Sequence, residues 1–371
     1  MCMSHSPRVV HVIHSGAVGG GPRVVLSLAT GVPGEHVIAA PADGPLLADA
    51  QREGVDTARL PRGGKYSFPV SAPSLRAAVA TADIVHVHGQ FAGFYAGVIA
   101  RTCRKRVVYT AHFPSFVTDS GPRNRIRNRL VEATSCAAAQ VTVACSQTMR
   151  EEYIRRRLTK SHDIVTIYNG VPEQHATVPV ERVRDDLGVG LEEQVILGLG
   201  RFTDQKGFDV LLEAMRIVLC RAPQAVLTLA GDGERRQALE DRARRLEIYS
   251  SVRFAGFRRD TADLMNIAAV VAVPSRYEVF PLVALEAMMA GRALVATDLP
   301  VLREAITGGE QGFLVPLDPG ALADGLIRLL EDADLRRLMG TAGRRRAQAR
   351  FGEDRMAGEY ATLYERVLEP A

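Results

Sequence analysis

The chain has 371 residues, 47% hydrophobic and 24% charged, with a net charge of +4. This is the balance of a folded globular protein; it excludes extended disorder, and the length suggests about two domains. No apolar run approaches the roughly 20 residues that span a bilayer, and the opening MCMSHSPR lacks the apolar stretch of a secretory leader, so neither a membrane span nor a leader is expected. Cys2, Cys103, Cys136, Cys145 and Cys220 are scattered and form no C-x-x-C, which argues for reduced thiols in a cytoplasmic protein, not a disulfide framework or zinc site. Residues 1–172 carry 20 cationic against 11 acidic side chains and the remainder 26 against 31, so the N-terminal half is the basic one. That suits an anionic partner there, or is plain surface charge.

In chain order the first element is a strand, Arg8–His14. It is followed by Gly16, Gly19, Gly20 and Gly21, with Pro22 expected at the first position of the next helix. The glycines invite comparison with a dinucleotide loop, but no register yields G-x-G-x-x-G, and Asp43 lies three residues past Ala40 of the second strand. A nicotinamide enzyme is therefore a poor reading. What remains is a loop whose N–H groups can approach an anion. Further strands are HVIAAP, DIVHVHG, RVVYTAH, VTVACS and IVTIYNG. The fourth of these six ends at His112. A basic stretch, Arg123, Arg125, Arg127 and Arg129 with Ile126 and Leu130, fits a surface helix, an anionic membrane contact or an acceptor phosphate site. No aromatics interleave with the basic runs and tryptophan is absent, so no nucleic-acid partner is expected.

After a turn at Asn169–Pro172 a second set of strands begins: QVILGLG, AVLTLAG, VRFAGF, AVVAVPS, ALVATD and GFLVP. Like the first set these are near-continuous apolar runs, as parallel strands buried on both faces require. Helical patterns alternate with them. The fold class is therefore α/β, with two Rossmann-like, doubly wound parallel-sheet domains facing across a cleft. Domain one is expected over 1–172 and domain two over 173–354, with ligands at the carboxyl ends of the strands.

Three loops of the second half carry chemistry. In LGLGRFTDQKGFD, Arg201 and Lys206 follow a strand and can clamp a diphosphate, or are solvated surface cations. In AGDGERRQALE, Gly231 follows a strand and allows close approach of a ring or base, or makes an ordinary turn. In PSRYEVFPLVALEAMMAG, a helix expected from about Pro281 to Met289 opens on a loop. Its N-terminus is an anion site to which Val279, Phe280, Leu282 and Val283 can offer N–H groups. Glu278 precedes that helix, and Glu286 sits on its otherwise apolar surface, where a carboxylate needs a partner or a ligand such as vicinal ribose hydroxyls. Capping by Glu278 and a core arginine on Glu286 are the structural alternatives. The lone D-x-D, Asp332 to Asp334, lies at a helix boundary and reads as a cap. No metal site is therefore expected, and Arg201, Lys206 and the helix dipole are left to neutralise a leaving group.

These stretches, GRFTDQKGFDVLLEA, LAGDGERRQALE, VRFAGF and PSRYEVFPLVALEAMMAGRALVATD with Glu278 and Glu286 as E-x7-E, resemble the retaining group 1 (family 4) nucleotide-sugar glycosyltransferases of GT-B fold. The resemblance is strong over about Val195–Val315 and looser before it. It implies a hexosyltransferase that moves a sugar from a UDP- or GDP-linked donor to an acceptor hydroxyl with retention of configuration, with no other cofactor. It implies that Arg201 and Lys206 hold the diphosphate, Glu286 the ribose, and Glu278 and His112 the transferred sugar. Phe257 would lie beside the base, and Gly19, Gly20 and Gly21 would face the distal phosphate. Many relatives have glycine where Val279 and Pro281 stand, and Pro281 removes one backbone donor. The acceptor would bind the N-terminal domain, onto which a C-terminal helix, about 355–371, would cross back. A cell-surface or lipid-linked glycan acceptor is expected first, with a peripheral position at the inner membrane face. A natural-product glycoside is the second choice, and a non-catalytic nucleotide-sugar sensor a more distant one.

Overall fold

The computed structural model describes residues 6–61, 68–112 and 122–369. The chain divides into two compact units, Met1–Gly170 with Glu353–Ala371, and Val171–Gly352.

In the first unit, strands and helices alternate: β1 (Arg8–Ile13), α1 (Gly20–Gly31), β2 (Glu35–Pro41), α2 (Leu46–Arg52), β3 (Asp56–Leu60), α3 (Phe68–Ala80), β4 (Ile84–His88) and α4 (Gln90–Thr102). Then follow β5 (Arg106–Ala111), α5 (Pro122–Ala138), β6 (Val141–Ala144), α6 (Gln147–Arg155) and β7 (Ile164–Thr166). The seven strands form one sheet in the order β3-β2-β1-β4-β5-β6-β7, every described pair parallel. The central strands are buried almost throughout because helices cover both faces. The sequence reading expected six strands here. The seventh, β3 (DTARL), escapes it because this edge strand buries only Leu60 fully and so lacks an apolar run.

The start of α1 also differs from the sequence pattern. The helix starts at Gly20, with Gly19 as its N-cap in extended conformation, so Pro22 lies inside the first turn and is not its first residue. Pro22 is tolerated there because the first turn's N–H groups have no intrahelical acceptor. Gly20 and Gly21 therefore belong to a helix N-terminus and not to a free loop.

The second unit runs α7 (Val180–Leu187), β8 (Gln194–Leu199), α8 (Phe208–Leu219), β9 (Ala225–Ala230), α9 (Arg236–Arg245), β10 (Val252–Gly256), α10 (Thr261–Ile267) and β11 (Ala268–Val273). It continues with α11 (Leu282–Met289), β12 (Leu294–Thr297), α12 (Pro300–Ala305), β13 (Gly312–Val315), α13 (Pro319–Glu331) and α14 (Ala333–Arg350). Its six parallel strands are ordered β10-β9-β8-β11-β12-β13. The order reverses direction between β8 and β11, and ligands of open α/β sheets sit at such a switch point. Asp332 caps α14 by accepting from Leu335 N at 2.8 Å, a structural role.

The last helix, α15 (Glu353–Leu368), belongs to the first unit. Met356, Tyr360, Leu363, Tyr364 and Val367 enter a core with Val9, Leu28, Ile84, Val108 and Val143.

Candidate active site

The second unit gathers its candidate residues at the carboxyl ends of β8, β9, β10 and β11. Three glycines bring the backbones together there. Gly231 N donates to Gly256 O at 2.7 Å, and a Cβ on Gly231 would lie 1.9 Å from Gly200 O. Gly200 follows β8, and a Cβ on it would meet the Lys206 stem at 3.3 Å. At Gly231 no side chain larger than hydrogen fits, which keeps the backbone at the surface of the site. Phe257, next in the chain after Gly256, is 51% exposed.

The loops after β8 and β11 are joined by a set of polar contacts. A short 3-10 turn, Asp204–Lys206, leads to Gly207, whose φ is +64° and whose missing Cβ would lie 1.9 Å from Pro274 O. Arg276 N donates to Gln205 O at 2.8 Å, and Gln205 Nε2 donates to Tyr277 O at 3.1 Å. Arg276 also grips Asp209 with both terminal nitrogens, at 2.8 and 2.7 Å. The guanidinium holds the Asp209 carboxyl below its ordinary range despite partial burial. Lys206 Nζ donates to Glu278 Oε1 at 2.6 Å, and Ser275 Oγ donates to the same oxygen at 2.7 Å. The Glu278 side chain is only 6% exposed. Both contacts fall on Oε1, and no hydrogen bond to Oε2 is seen among the described residues.

Above this loop α11 begins. Pro281 is its N-cap, with ψ near 96°, one position earlier than the sequence reading placed it. Ala284 N makes the first intrahelical bond, to Pro281 O at 3.1 Å, so the N–H groups of Leu282 and Val283 precede the ladder. Val279 and Phe280 are buried, and the Phe280 ring packs 5.8 Å from Phe351, so only its backbone can face a ligand. Glu286 is 1% exposed on a helix whose neighbours Leu285, Ala287 and Met288 are core. Arg201, by contrast, is 75% exposed and lies 3.8 Å from Glu234, so the structure does not seat it as firmly as Lys206.

Sequence reasoning missed Ser275, Asp209 and Arg276. Ser275 and Arg276 follow a strand directly, which was a usable signal. The pairing of Arg276 with a residue 67 positions away was not.

In the first unit, His112 lies against Gly21: a Cβ there would be 3.7 Å from two atoms of the ring. His112 Nε2 is 3.0 Å from His88 Nδ1. Burial lowers its pKa to about 4, assisted by nearby His14, so the ring is neutral at physiological pH. Asp43 accepts from Gly16 N at 2.6 Å and Ser15 Oγ at 2.9 Å. It braces the loop after β1. The Arg123, Arg125, Arg127 and Arg129 side chains of α5 are exposed, as are Ile126 (65%) and Leu130 (64%).

Residues 179–346 match the family described as Glycosyl transferases group 1, and residues 18–175 match Glycosyltransferase Family 4. An uncharacterized glycosyltransferase of Methanocaldococcus jannaschii is 30% identical over 297 residues, covering 77% of this chain and 76% of that protein. The chain belongs to the group 1 glycosyltransferases. Another relative of this glycosyltransferase is the D-inositol 3-phosphate glycosyltransferase of Corynebacterium urealyticum, 30% identical over 301 residues, 76% of this chain and 71% of that one. Anabaena HepE, solved with UDP and glucose, has the same fold. Its TM-score is 0.87 at 22% identity, over 97% of this chain and 99% of HepE. The glycosyltransferase thus has the two-domain GT-B architecture, with parallel sheets of seven and six strands. Among the described residues, no helix is long and apolar enough to cross a membrane.

Proposed function

We propose that this glycosyltransferase transfers a sugar from a UDP- or GDP-linked donor to an acceptor hydroxyl with retention of configuration and without a metal ion. The observation that carries this is the split use of Glu278. Its Oε1 holds Lys206 and Ser275, while Oε2 is left for a hydroxyl of the transferred sugar. An ammonium has three hydrogens, so Lys206 keeps two for phosphate oxygens after binding Glu278. The Leu282 and Val283 N–H groups and the positive end of α11 add to that charge, and Arg201 reaches in from solvent. Positive charge fixed in advance stabilises the diphosphate as the glycosidic bond breaks. Glu286 takes the ribose hydroxyls, the glycines at 200, 231 and 256 give the base access to backbone, and Phe257 lies beside it. The departing phosphate oxygen accepts the proton of the attacking hydroxyl. The UDP bound by Anabaena HepE favours UDP as the nucleotide.

In the first unit His112, the α1 N-cap Gly19 and the first-turn Gly20 and Gly21 serve sugar and phosphate groups, and this unit binds the acceptor. The basic, apolar-tipped face of α5 supports an acceptor carried at an anionic membrane surface, reached from the cytoplasm, as in cell-surface or lipid-linked glycan synthesis. A soluble natural-product acceptor is the second choice.

The test is a thermal-shift screen of nucleotide sugars on the full chain. A cognate donor at 100 times Kd stabilises by about 2.7 kcal/mol, which raises Tm. Lys206→Ala and Glu286→Ala should abolish that rise and the turnover while the ligand-free Tm stays in the folded range. Full turnover in either folded variant would sink the assignment.

A further inference from the structure

Four of the nine histidines, His11, His36, His86 and His88, are buried in the first unit, and the partly buried His112 joins three of them in a hydrogen-bonded single file. His36 Nδ1 is 2.9 Å from His11 Nε2, His11 Nδ1 is 3.1 Å from His88 Nε2, and His88 Nδ1 is 3.0 Å from His112 Nε2. Successive rings are 5.2, 5.3 and 5.2 Å apart, stacked within 26° of parallel. His11 and His88 are wholly buried and His36 is 8% exposed. All four positions lie on or just past strands, His36 on β2, His11 on β1, His88 on β4 and His112 after β5, so the file crosses the sheet from strand to strand.

Every link joins Nδ1 of one ring to Nε2 of the next, always in the same sense. A neutral imidazole has one N–H and one lone pair. If His36 donates to His11, then His11 must carry its hydrogen on Nδ1 and donate to His88, which must do the same to His112. If His36 accepts, every hydrogen sits on Nε2. A mixed arrangement puts two hydrogens or two lone pairs into one link, and an unmade bond between buried groups costs about 1–3 kcal/mol. Burial keeps the rings neutral, since it pushes all four below the ordinary histidine range. The file therefore has only two states, and the one that puts hydrogen on His36 Nε2 leaves that buried nitrogen without an acceptor among the described residues, which favours hydrogen on Nδ1 throughout and fixes the role of the last nitrogen, His112 Nδ1.

We propose that His36, His11 and His88 are positioning residues that hold His112 in one tautomer, so that its Nδ1 meets the sugar donor with a single, fixed hydrogen-bonding role. The proposal rests on the placement of His112 at the transferred sugar. A neutral histidine left alone samples both tautomers and offers the wrong one part of the time. The file removes that freedom before the ligand arrives.

A cation does not explain the cluster. His11, His86 and His88 have nitrogens within 4.8 Å of one another. However, His86 spends Nδ1 on Tyr364 Oη and Nε2 on Thr110 Oγ1, both at 2.7 Å, which leaves the trio one ligand short.

Long-range proton–nitrogen spectra of the EDTA-treated, histidine-labelled full chain at pH 7.5, without ligand, test this directly. His36, His11, His88 and His112 should all report the same neutral tautomer. Opposite tautomers at His88 and His112, an averaged signal at His112, or one retained equivalent of metal would overturn it. His11→Phe breaks two links without touching His112, and should turn the His112 signal into a tautomer mixture; an unchanged signal counts against the relay. Should that variant not fold, His36→Gln serves, because the amide can donate or accept and so permits both states. With about half of the molecules in the wrong tautomer, the donor KM rises about twofold at unchanged kcat. A fall in kcat instead marks a structural role and overturns the proposal. The ligand-free spectra need no substrate, so the relay can fail while the assignment of sugar transfer stands, and the reverse.

Discussion

Glu132 is a carboxyl with 0% exposure on the inner face of α5. Its Oε1 accepts from the hydroxyls of Tyr109 and Tyr153, and its Oε2 is buried with no partner. Burial outweighs the two hydrogen bonds and lifts its pKa to about 7, against 4.5 in an unfolded chain. A raised carboxyl contributes stability that is fully present below the unfolded value and lost as pH rises through the folded one. The gap amounts to roughly 3 kcal/mol. Chemical denaturation of wild type and Glu132→Gln across pH 4.5 to 8 should therefore show wild type losing about that much relative to the variant. Parallel curves would contradict it. His112 works in the opposite direction, since its depressed pKa costs stability as pH falls from 6.5 through about 4, but it contributes equally to both proteins. At this scale the candidate site was partly legible. Glu278 and Glu286 sit eight positions apart around one helix start, a local pattern a sequence displays. The Ser275 and Lys206 contacts on Glu278 were half visible, since each residue follows a strand. The Glu132–Tyr109–Tyr153 cluster and the histidine file were not visible at all, because their members meet only after strands far apart in sequence become neighbours.

Among elements, the turn into α8 depends on Gly207. Its left-handed backbone alone makes any side chain unfavourable by about 1–2 kcal/mol. The added methyl would also press on Pro274 O, at 1.9 Å. Gly207→Ala should therefore push apart the loops that carry Lys206 and Glu278. The expected outcome is a Tm lowered by several degrees and a larger proportional loss of UDP affinity, read by calorimetry; an unchanged affinity would show that the two loops bind independently. The α5 helix makes a second case. If its exposed Ile126 and Leu130 enter an anionic bilayer, the chain should sediment with phosphatidylglycerol vesicles at low salt but not with neutral ones. Ile126→Ser with Leu130→Ser should release it, and sedimentation unaffected by either change would exclude this face. Element type was read well wherever strands were central, since burial on both faces imposes an apolar run. It was read poorly at β3, a partly solvated edge, and at the start of α1, where glycine and proline both permit several backbone starts.

For the whole molecule, the first unit is discontinuous: its core is completed by the last helix of the chain. Met356, Tyr360, Leu363, Tyr364 and Val367 are each at most 6% exposed. Burying five such side chains is worth on the order of 10 kcal/mol, comparable to the whole stability of a domain of about 5–15 kcal/mol. Two of them also end on polar partners, Tyr364 on His86 and Tyr360 on Thr110. A chain ended at Gly352 should consequently lose the first unit, digested by protease while 171–352 persists. Equal resistance of both parts would show that α15 is dispensable. The alternation of strand and helix, the parallel class of both sheets and the E-x7-E helix start are legible in the chain, because each is written in the pattern of neighbouring residues. Which strand ends meet, that Lys206 is held on one oxygen of Glu278, and that four histidines share one hydrogen-bonded file emerge with folding. Those outcomes depend on sheet order and register, which bring together residues that no local pattern relates.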